Sequence, residues 1–341
     1  MIRELLPRLV RGETLTREET GAAVLAMVRG EVSDPQIAAF LFALAQRGET
    51  VEELEGGART LRAESVPFPA QREALLDTCG TGGDASHTYN ISTAAAFVAA
   101  AAGIPVAKHG NRSVSSRAGS ADVLEALGAR IDLGPEGAAR ALEDTGFTFL
   151  NARLFHPAMR HVAKARSELG VRTLFNWLGP LSNPARATHQ LVGVSDGRRA
   201  PMVAEVLSRL GTRRSLIVHG SGGLDELSLE EGNLAIEAGP HGAGPPRPME
   251  ASAIGLTPAP KAALRGGEPA ENAAIIHAIF KGQRGPMRDA LILNAAAALW
   301  IAGAAPSLDD AARLAAEQLD SGTALRTLER FVSVSHRVGD G

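Results

Sequence analysis

The sequence predicts an α/β protein, with a small all-helical domain and a large α/β domain whose central, mostly parallel sheet is flanked by helices. Three observations predict it. Residues 1–64 carry helical signals only, residues 65–72 break that pattern with two prolines, and beyond residue 73 short apolar runs alternate with longer helix-periodic segments. Such alternation is the signature of parallel strands joined by helical crossovers. A chain of 341 residues with 45% hydrophobic and 21% charged residues is long and apolar enough to bury both parts.

The helical part rests on capping. Thr16 with Glu19, Ser33 with Gln36, and Thr50 with Glu53 each place a hydroxyl three residues ahead of a carboxylate or amide, the reciprocal arrangement that closes a helix N-terminus. Gly30 and Gly48 stand where the first two of these helices should stop. Ile37, Phe40, Leu41 and Leu44 recur at helical spacing and define a buried stripe. In residues 65–72, Pro67 and Pro69 disfavour helix continuation, so this stretch reads as an extended linker.

Strands are predicted at 74–77, 104–108, 147–150, 190–194 and 216–219. Helices are predicted at 91–102, 120–127, 135–144, 199–210, 271–281, 287–302, 307–319 and 322–333. Residues 239–248 read as a turn-rich loop. Segment 156–184 interrupts the rhythm, with Pro157 at a first helical position and Gly-Pro and Asn-Pro near its end. The expected division is therefore a helical domain over 1–66, joined by a returning segment at about 156–186, and an α/β domain over 73–155 and 187–341.

Bulk properties exclude several functions. A net charge of −3 gives no overall positive field for a nucleic-acid backbone, so any bound anion must be met locally. No apolar run reaches 18 residues and the opening stretch lacks a signal-peptide core, so a cytoplasmic protein without membrane partners is expected. Cys79 is the sole cysteine, which excludes an internal disulfide or a cysteine-clustered zinc site.

Four constellations carry chemistry. Residues 77–84, Asp-Thr-Cys-Gly-Thr-Gly-Gly-Asp, run from a strand into a glycine loop whose amides can approach an anion unhindered by Cβ atoms. The loop lacks the Gly-Lys-Ser/Thr of a P-loop. It also lacks the immediate helix and the later acidic residue of a dinucleotide-binding turn. Asn90, Ile91, Ser92 and Thr93 open an alanine-rich helix, whose N-terminus offers unpaired N–H groups and a positive dipole end. Residues 108–117 gather Lys108, His109, Arg112 and Arg117 with several hydroxyls directly after a strand, a set able to surround a pyrophosphate. Asp225 and Glu226 are paired hard-oxygen ligands suited to a Mg²⁺ ion that keeps waters and shares substrate phosphates. No nucleophile elbow is visible, so the reaction should be a direct displacement on a polyphosphorylated substrate.

These motifs, in this order and spacing, resemble those of the anthranilate phosphoribosyltransferases. Gly80 to Asp84, Asn90 to Thr93, Lys108 to Ser113, His156-Pro-Ala-Met159, Arg166 within Ala-Arg-Ser-Glu-Leu-Gly, residues 176–184 and Gly223 to Glu226 carry the likeness. It extends to Gly266-Gly267 and Glu271-Asn272-Ala273 and so spans nearly the whole chain. Departures from the family pattern are residues 151–155 ahead of His156, Ala118 and Ser167.

The resemblance implies transfer of the phosphoribosyl group of phosphoribosyl pyrophosphate to the amine of anthranilate, the second step of tryptophan biosynthesis from chorismate. It implies Mg²⁺ as cofactor, no nucleic-acid partner, and a homodimer built through the helical domain. It assigns phosphoribosyl pyrophosphate to Gly80, Gly83, Asp84, Thr88, Asn90, Ile91, Ser92, Thr93, Lys108, His109, Gly110, Asn111, Arg112, Ser113, Val114, Ser115, Ser116 and Ser120. Gly80, Asn111, His156 and Arg166 would meet anthranilate. Ser92, Asp225 and Glu226 would touch the metal, and Lys108, Asp225 and Glu226 would carry catalysis. The nearest alternatives are a pyrimidine nucleoside phosphorylase and a non-catalytic nucleic-acid-binding paralogue.

Overall fold

The computed structural model of the chain describes residues 1–69, 72–83, 86–113 and 117–339. Four helices come first: α1 (Ile2–Val10), α2 (Arg17–Val28), α3 (Asp34–Arg47) and α4 (Val51–Ala63). Two of the three expected capping boxes form, at Thr16 with Glu19 and at Thr50 with Glu53. The third does not: the Ser33 hydroxyl donates to Gln36 Oε1 at 3.3 Å and caps no backbone N–H. Helix α3 starts instead on Asp34, which favours the positive dipole end, and on Pro35, which has no N–H to leave unpaired. Helices α2 and α4 pack closely through Gly21 and Gly56, where a Cβ on Gly56 would lie 3.0 Å from the Arg17 carbonyl carbon.

The sheet strands are β1 (Leu76–Gly80), β2 (Val106–Gly110), β3 (Phe147–Asn151), β4 (His189–Gly193), β5 (Arg214–His219), β6 (Leu234–Gly239), β7 (Gly242–Ala243) and β8 (Arg247–Pro248). Their order is β3-β2-β1-β4-β5-β6-β7, with β8 also paired to β6. The first five are parallel and the last three add antiparallel pairs at one edge. From β1 the chain moves outward to β2 and β3, then returns to β4 on the other side of β1. The reversal lies between β1 and β4, where Gly80 pairs in register with Gly193.

Two sequence expectations need correction. Strands β1 and β2 each begin two residues later than their apolar runs suggest, so their C-terminal ends extend to Gly80 and Gly110. Residues 239–248 are more than a loop, since they hold the two-residue strands β7 and β8 folded back on β6. Strands so short show no alternation that a sequence could reveal.

The remaining helices are α5 (Ile91–Ala101), α6 (Ser120–Ala126), α7 (Pro135–Thr145), α8 (Ala152–Phe155), α9 (Arg160–Leu169), α10 (Leu174–Leu181), α11 (Ala200–Arg209), α12 (Pro269–Phe280), α13 (Pro286–Ile301), α14 (Leu308–Asp320) and α15 (Thr323–Gly339). Successive strand residues point to opposite faces, and each face builds its own core. Leu191 and Leu216 join the cluster formed with α5, α13, α14 and α15. Val192 and Ile217 join the one formed with α1–α4, α9, α10 and α11. Helix α5 is buried along nearly its whole length, and its alanines let α13 approach closely. Helix α9 packs on α2 and α3, and α10 packs on α4.

Candidate functional site

The site gathers where β1, β2, β4 and β5 end, the edge at which open α/β sheets bind ligands beside a reversal of strand order. The loop after β5 turns back through a Gly220 to Leu224 bridge and places Asp225 against the ends of β1 and β4. A Cβ on Gly80 would stand 2.9 Å from Asp225 Cγ, and one on Gly193 would stand 3.1 Å from Asp225 Cα. Both strand ends are glycine because Asp225 occupies the space a side chain would need. Gly82 N–H then donates to Asp225 Oδ2 at 2.7 Å, tying the glycine loop to the acid.

Glu226 faces the start of α5. Its Oε1 accepts from Ser92 N–H at 2.9 Å and its Oε2 from the Thr88 hydroxyl at 3.1 Å. Lys108, in the middle of β2, donates to the Thr78 carbonyl and, at 3.3 Å, to Ser92 Oγ. Ser92 is therefore the meeting point of Lys108 and Glu226. Burial pushes the Lys108 pKa below the usual lysine range, while Asp77, Cys79, Glu226 and Asp225 oppose that shift. Burial likewise raises the Asp77 carboxyl, which accepts from His109 N–H at 3.2 Å and from Asn183 Nδ2 at 2.8 Å.

Other expected contacts divide by where their side chains go. Ile91 packs in the hydrophobic core, so only its backbone is left for a ligand. Thr93 is buried, and its Oγ1 has no hydrogen-bond partner among the described residues. Asn90 does not cap α5; its Nδ2 donates to Ala118 O at 3.1 Å and its Oδ1 accepts from Asn272 Nδ2 at 2.9 Å. Ser120 opens α6 and lies 3.4 Å from the Asn111 carbonyl. At Gly110 a Cβ would lie 2.7 Å from Phe149 Cε2. Gly83 is exposed. Asp84, Val114, Ser115 and Ser116 lie outside the described residues.

Arg112 is held by acids of the chain itself. The sequence offered it as a phosphate fork, but its two terminal nitrogens each meet a Glu125 carboxylate oxygen at 2.6 Å, and Nη1 also meets Asp122 at 3.0 Å. These acids hold its pKa above the usual arginine range. Asp122 further accepts from Ser113 N–H and Gly119 N–H, both at 2.9 Å. Arg112 thus braces the loop onto α6.

His109 also differs from its expected place in a phosphate loop. Alternation along β2 sends it to the face opposite Lys108. There Nδ1 donates to the Gly179 carbonyl at 3.3 Å, and the ring lies 5.1 Å from that of His156. His156 Nε2 donates to Ser182 O at 3.0 Å. Burial lowers the two imidazoles to about 3 for His109 and about 4 for His156, so both are neutral at pH 7.

Arg166, on α9, lies 5.3 Å from the Phe175 ring centre. It is half-buried, and no carboxylate among the described residues pairs with it. Burial lowers its pKa.

Three contributors are not among the site residues expected from the sequence. Gly193 needs the register of β4 on β1 to be seen beside Asp225. Asn272 reaches Asn90 from α12 and accepts Gly267 N–H at 2.7 Å; the Gly-Gly pair ahead of it was the available signal. Arg172 donates to the carbonyls of Thr81 and Gly82 across some ninety positions of chain, and nothing local announces that contact.

The donor set suits Mg²⁺. Asp225, Glu226 and the Ser92 hydroxyl are hard oxygen ligands beside a buried cation, and Mg²⁺ takes such partial sets and completes them with water and phosphate oxygens. No group of three or more His, Cys, Asp or Glu residues able to hold a metal occurs among the described residues, so a closed all-protein cage is not what they build. No helix among them is long and apolar enough to cross a membrane.

Comparison with known proteins agrees with this architecture. Residues 3–65 match the family described as glycosyl transferase family, helical bundle domain, and residues 72–325 match glycosyl transferase family, a/b domain. An anthranilate phosphoribosyltransferase of Roseiflexus castenholzii is 51% identical over 337 residues, 98% of each chain. The crystal structure of anthranilate phosphoribosyltransferase from Thermus thermophilus has a TM-score of 0.92 at 48% identity, covering 97% of this chain and 99% of that one. The Saccharomyces cerevisiae enzyme, solved in complex with phosphoribosyl pyrophosphate and Mg, has a TM-score of 0.89 at 27% identity and 98% coverage of both chains.

Proposed function

We infer the reaction from one premise: the chain belongs to the anthranilate phosphoribosyltransferase family. It transfers the 5-phosphoribosyl group of phosphoribosyl pyrophosphate to the amine of anthranilate, giving N-(5-phosphoribosyl)anthranilate and pyrophosphate, a step of tryptophan biosynthesis. The observation that carries this reading is the convergence of Lys108 and Glu226 on Ser92, beside an Asp225 seated against Gly80.

Lys108 and the amides of the glycine loop and α5 N-terminus hold the pyrophosphate. Ser92, Asp225 and Glu226 would hold Mg²⁺, which supplies positive charge to the leaving group. Arg166 takes the anthranilate carboxylate, because it is a half-buried cation with no protein counter-charge among the described residues. The neutral His109 and His156 give the acceptor end a wall without charge. The amine then attacks C1 of the ribose while the C1–O bond breaks and its electron pair departs on pyrophosphate, and the new C1–N nitrogen releases one proton to water. The amine needs little activation, so holding both partners in line is the main contribution of the protein.

The catalytic assembly is a cytoplasmic homodimer formed through the helical domain. That domain comprises residues 1–66 with the returning segment 156–186, and closes on the α/β domain of 73–155 and 187–341. The packing of α9 and α10 on α2, α3 and α4 supports this division.

Loss of anthranilate fluorescence tests the reaction. Fluorescence should fall when phosphoribosyl pyrophosphate and Mg²⁺ are both present, and hold steady when either is omitted. A steady signal in the complete mixture, with phosphorolysis of thymidine instead, would replace this reading by that of a nucleoside phosphorylase.

A further inference from the structure

We propose that Arg172 is a positioning residue for the donor substrate, setting the peptide planes of the glycine loop so that Gly83 N–H faces the pyrophosphate. The proposal rests on the reaction inferred above and deepens it.

Arg172 lies in the short connection between α9 and α10, just past Gly170, whose φ of +66° ends α9. Its Nη1 donates to Gly82 O at 2.5 Å and its Nη2 to Thr81 O at 3.3 Å. The guanidinium sits 5.1 Å from the centre of the Trp177 ring, which also carries Arg199 at 5.9 Å. Arg199 in turn lies 3.7 Å from Glu49, at the α3–α4 junction. The arginine is thus anchored on the helical side of the molecule while it grips a loop of the sheet side.

The peptide bonds give the grip its consequence. None among the described residues is cis, and a trans peptide points its carbonyl and N–H in opposite directions. The 81–82 peptide is fixed at both ends, with its carbonyl on Arg172 and its N–H on Asp225 Oδ2. The 82–83 peptide has its carbonyl on Arg172, with Ser195 Oγ 3.4 Å away. Gly83 N–H is therefore directed away from the guanidinium, and it has no acceptor among the described residues.

An N–H without a protein partner is open to an outside acceptor, and a pyrophosphate oxygen is one. Because a cation polarises both carbonyls, the N–H groups of the same peptides become stronger donors. A Cβ on Gly83 would stand 3.3 Å from Arg172 Cζ and push Nη1 aside, and the φ of +71° at this position also favours glycine. Six positions separate Arg166 from Arg172, so one short segment would grip the acceptor at one end and the donor loop at the other.

The test compares the wild-type enzyme with Arg172→Met and Arg172→Lys. Titration calorimetry with Mg-pyrophosphate and steady-state kinetics in both substrates are read alongside thermal melting. Arg172→Met should raise the Kd for Mg-pyrophosphate and the KM for phosphoribosyl pyrophosphate by roughly tenfold or more. The KM for anthranilate should stay within about twofold. Arg172→Lys, with one point charge in place of a fork, should recover part of the loss. Equal changes in both KM values, or no change in pyrophosphate affinity in a folded variant, would overturn the proposal. Should Arg172→Met fail to fold, the lysine variant decides alone: wild-type pyrophosphate affinity would rule out the paired-carbonyl grip. A wild-type enzyme that consumes no anthranilate would refute the underlying reaction instead, a distinct outcome.

Discussion

The carboxylate of Asp225 fills the space in which a side chain at Gly80 would stand, with its Cγ 2.9 Å from the position of that missing Cβ. Replacing Gly80 by alanine should therefore displace the acid while leaving the fold in place. We expect kcat/KM to fall at least tenfold, about 1.4 kcal/mol of transition-state stabilisation, and the half-saturating Mg²⁺ concentration to rise. A metal titration of Gly80→Ala that superimposes on wild type would dissociate Asp225 from the ion.

Asp225→Asn combined with Glu226→Gln should raise the Mg²⁺ requirement further. An amide at 226 can still accept from Ser92 N–H through its oxygen and can donate through its nitrogen to the Thr88 hydroxyl, which then accepts, so both contacts survive while the charge is removed. An unchanged requirement in this double variant refutes the metal role.

Arg166→Ala should raise the KM for anthranilate with a cost of about 1.5–3 kcal/mol, the range for a hydrogen bond to a charged group. The KM for phosphoribosyl pyrophosphate should change little, because Arg166 makes no hydrogen bond to the described loop residues that the donor would occupy. An unaltered anthranilate KM removes Arg166 from the acceptor site.

The two buried histidines set an acid limit on stability. Their folded values, about 3 for His109 and about 4 for His156, lie below the ordinary value of about 6.5 for an unfolded chain. As pH falls below about 6.5 the unfolded chain binds protons that the native imidazoles refuse, so stability present above that pH is lost. Between pH 7 and pH 5 each histidine should account for a loss of about 2 kcal/mol. Urea unfolding of His156→Asn should show a smaller loss over this interval than wild type, and a parallel pH profile would contradict the burial of a neutral ring.

Capping provides a control outside the site. Thr16→Ala should cost about 1 kcal/mol, since the hydroxyl accepts a helix N–H, whereas Ser33→Ala should cost less because that hydroxyl caps nothing. Equal losses in thermal melting would mean that the Ser33 box forms after all.

What the sequence makes legible here is whatever lies in continuous stretches. The glycine loop, the α5 start, Lys108 and the acid pair are each a few adjacent residues whose chemistry is plain, and parallel strands bring their ends together. The fate of Arg112 is hidden because its partners Asp122 and Glu125 sit ten and thirteen positions on, and three unlike uses of an arginine look identical in one dimension. The face that His109 takes is hidden for the same reason as the neighbour of Gly193. Which face a strand residue takes, and which neighbour it meets, depends on a register that only pairing fixes. The edge strands β7 and β8 fall below the length at which any period can be read.

The first four helices share their apolar interior with one side of the sheet, where Val192, Val194, Ile217 and Ile236 join Phe40, Leu41 and Leu54 in a single cluster. Helices α9, α10 and α11, which pack on those four helices and continue the cluster to the sheet, would lose that cover and meet water if the amino-terminal segment were cut away. A protein trimmed to begin near residue 73 should consequently be an aggregating fragment, and an enzyme of this design cannot be shortened to its phosphate-binding half.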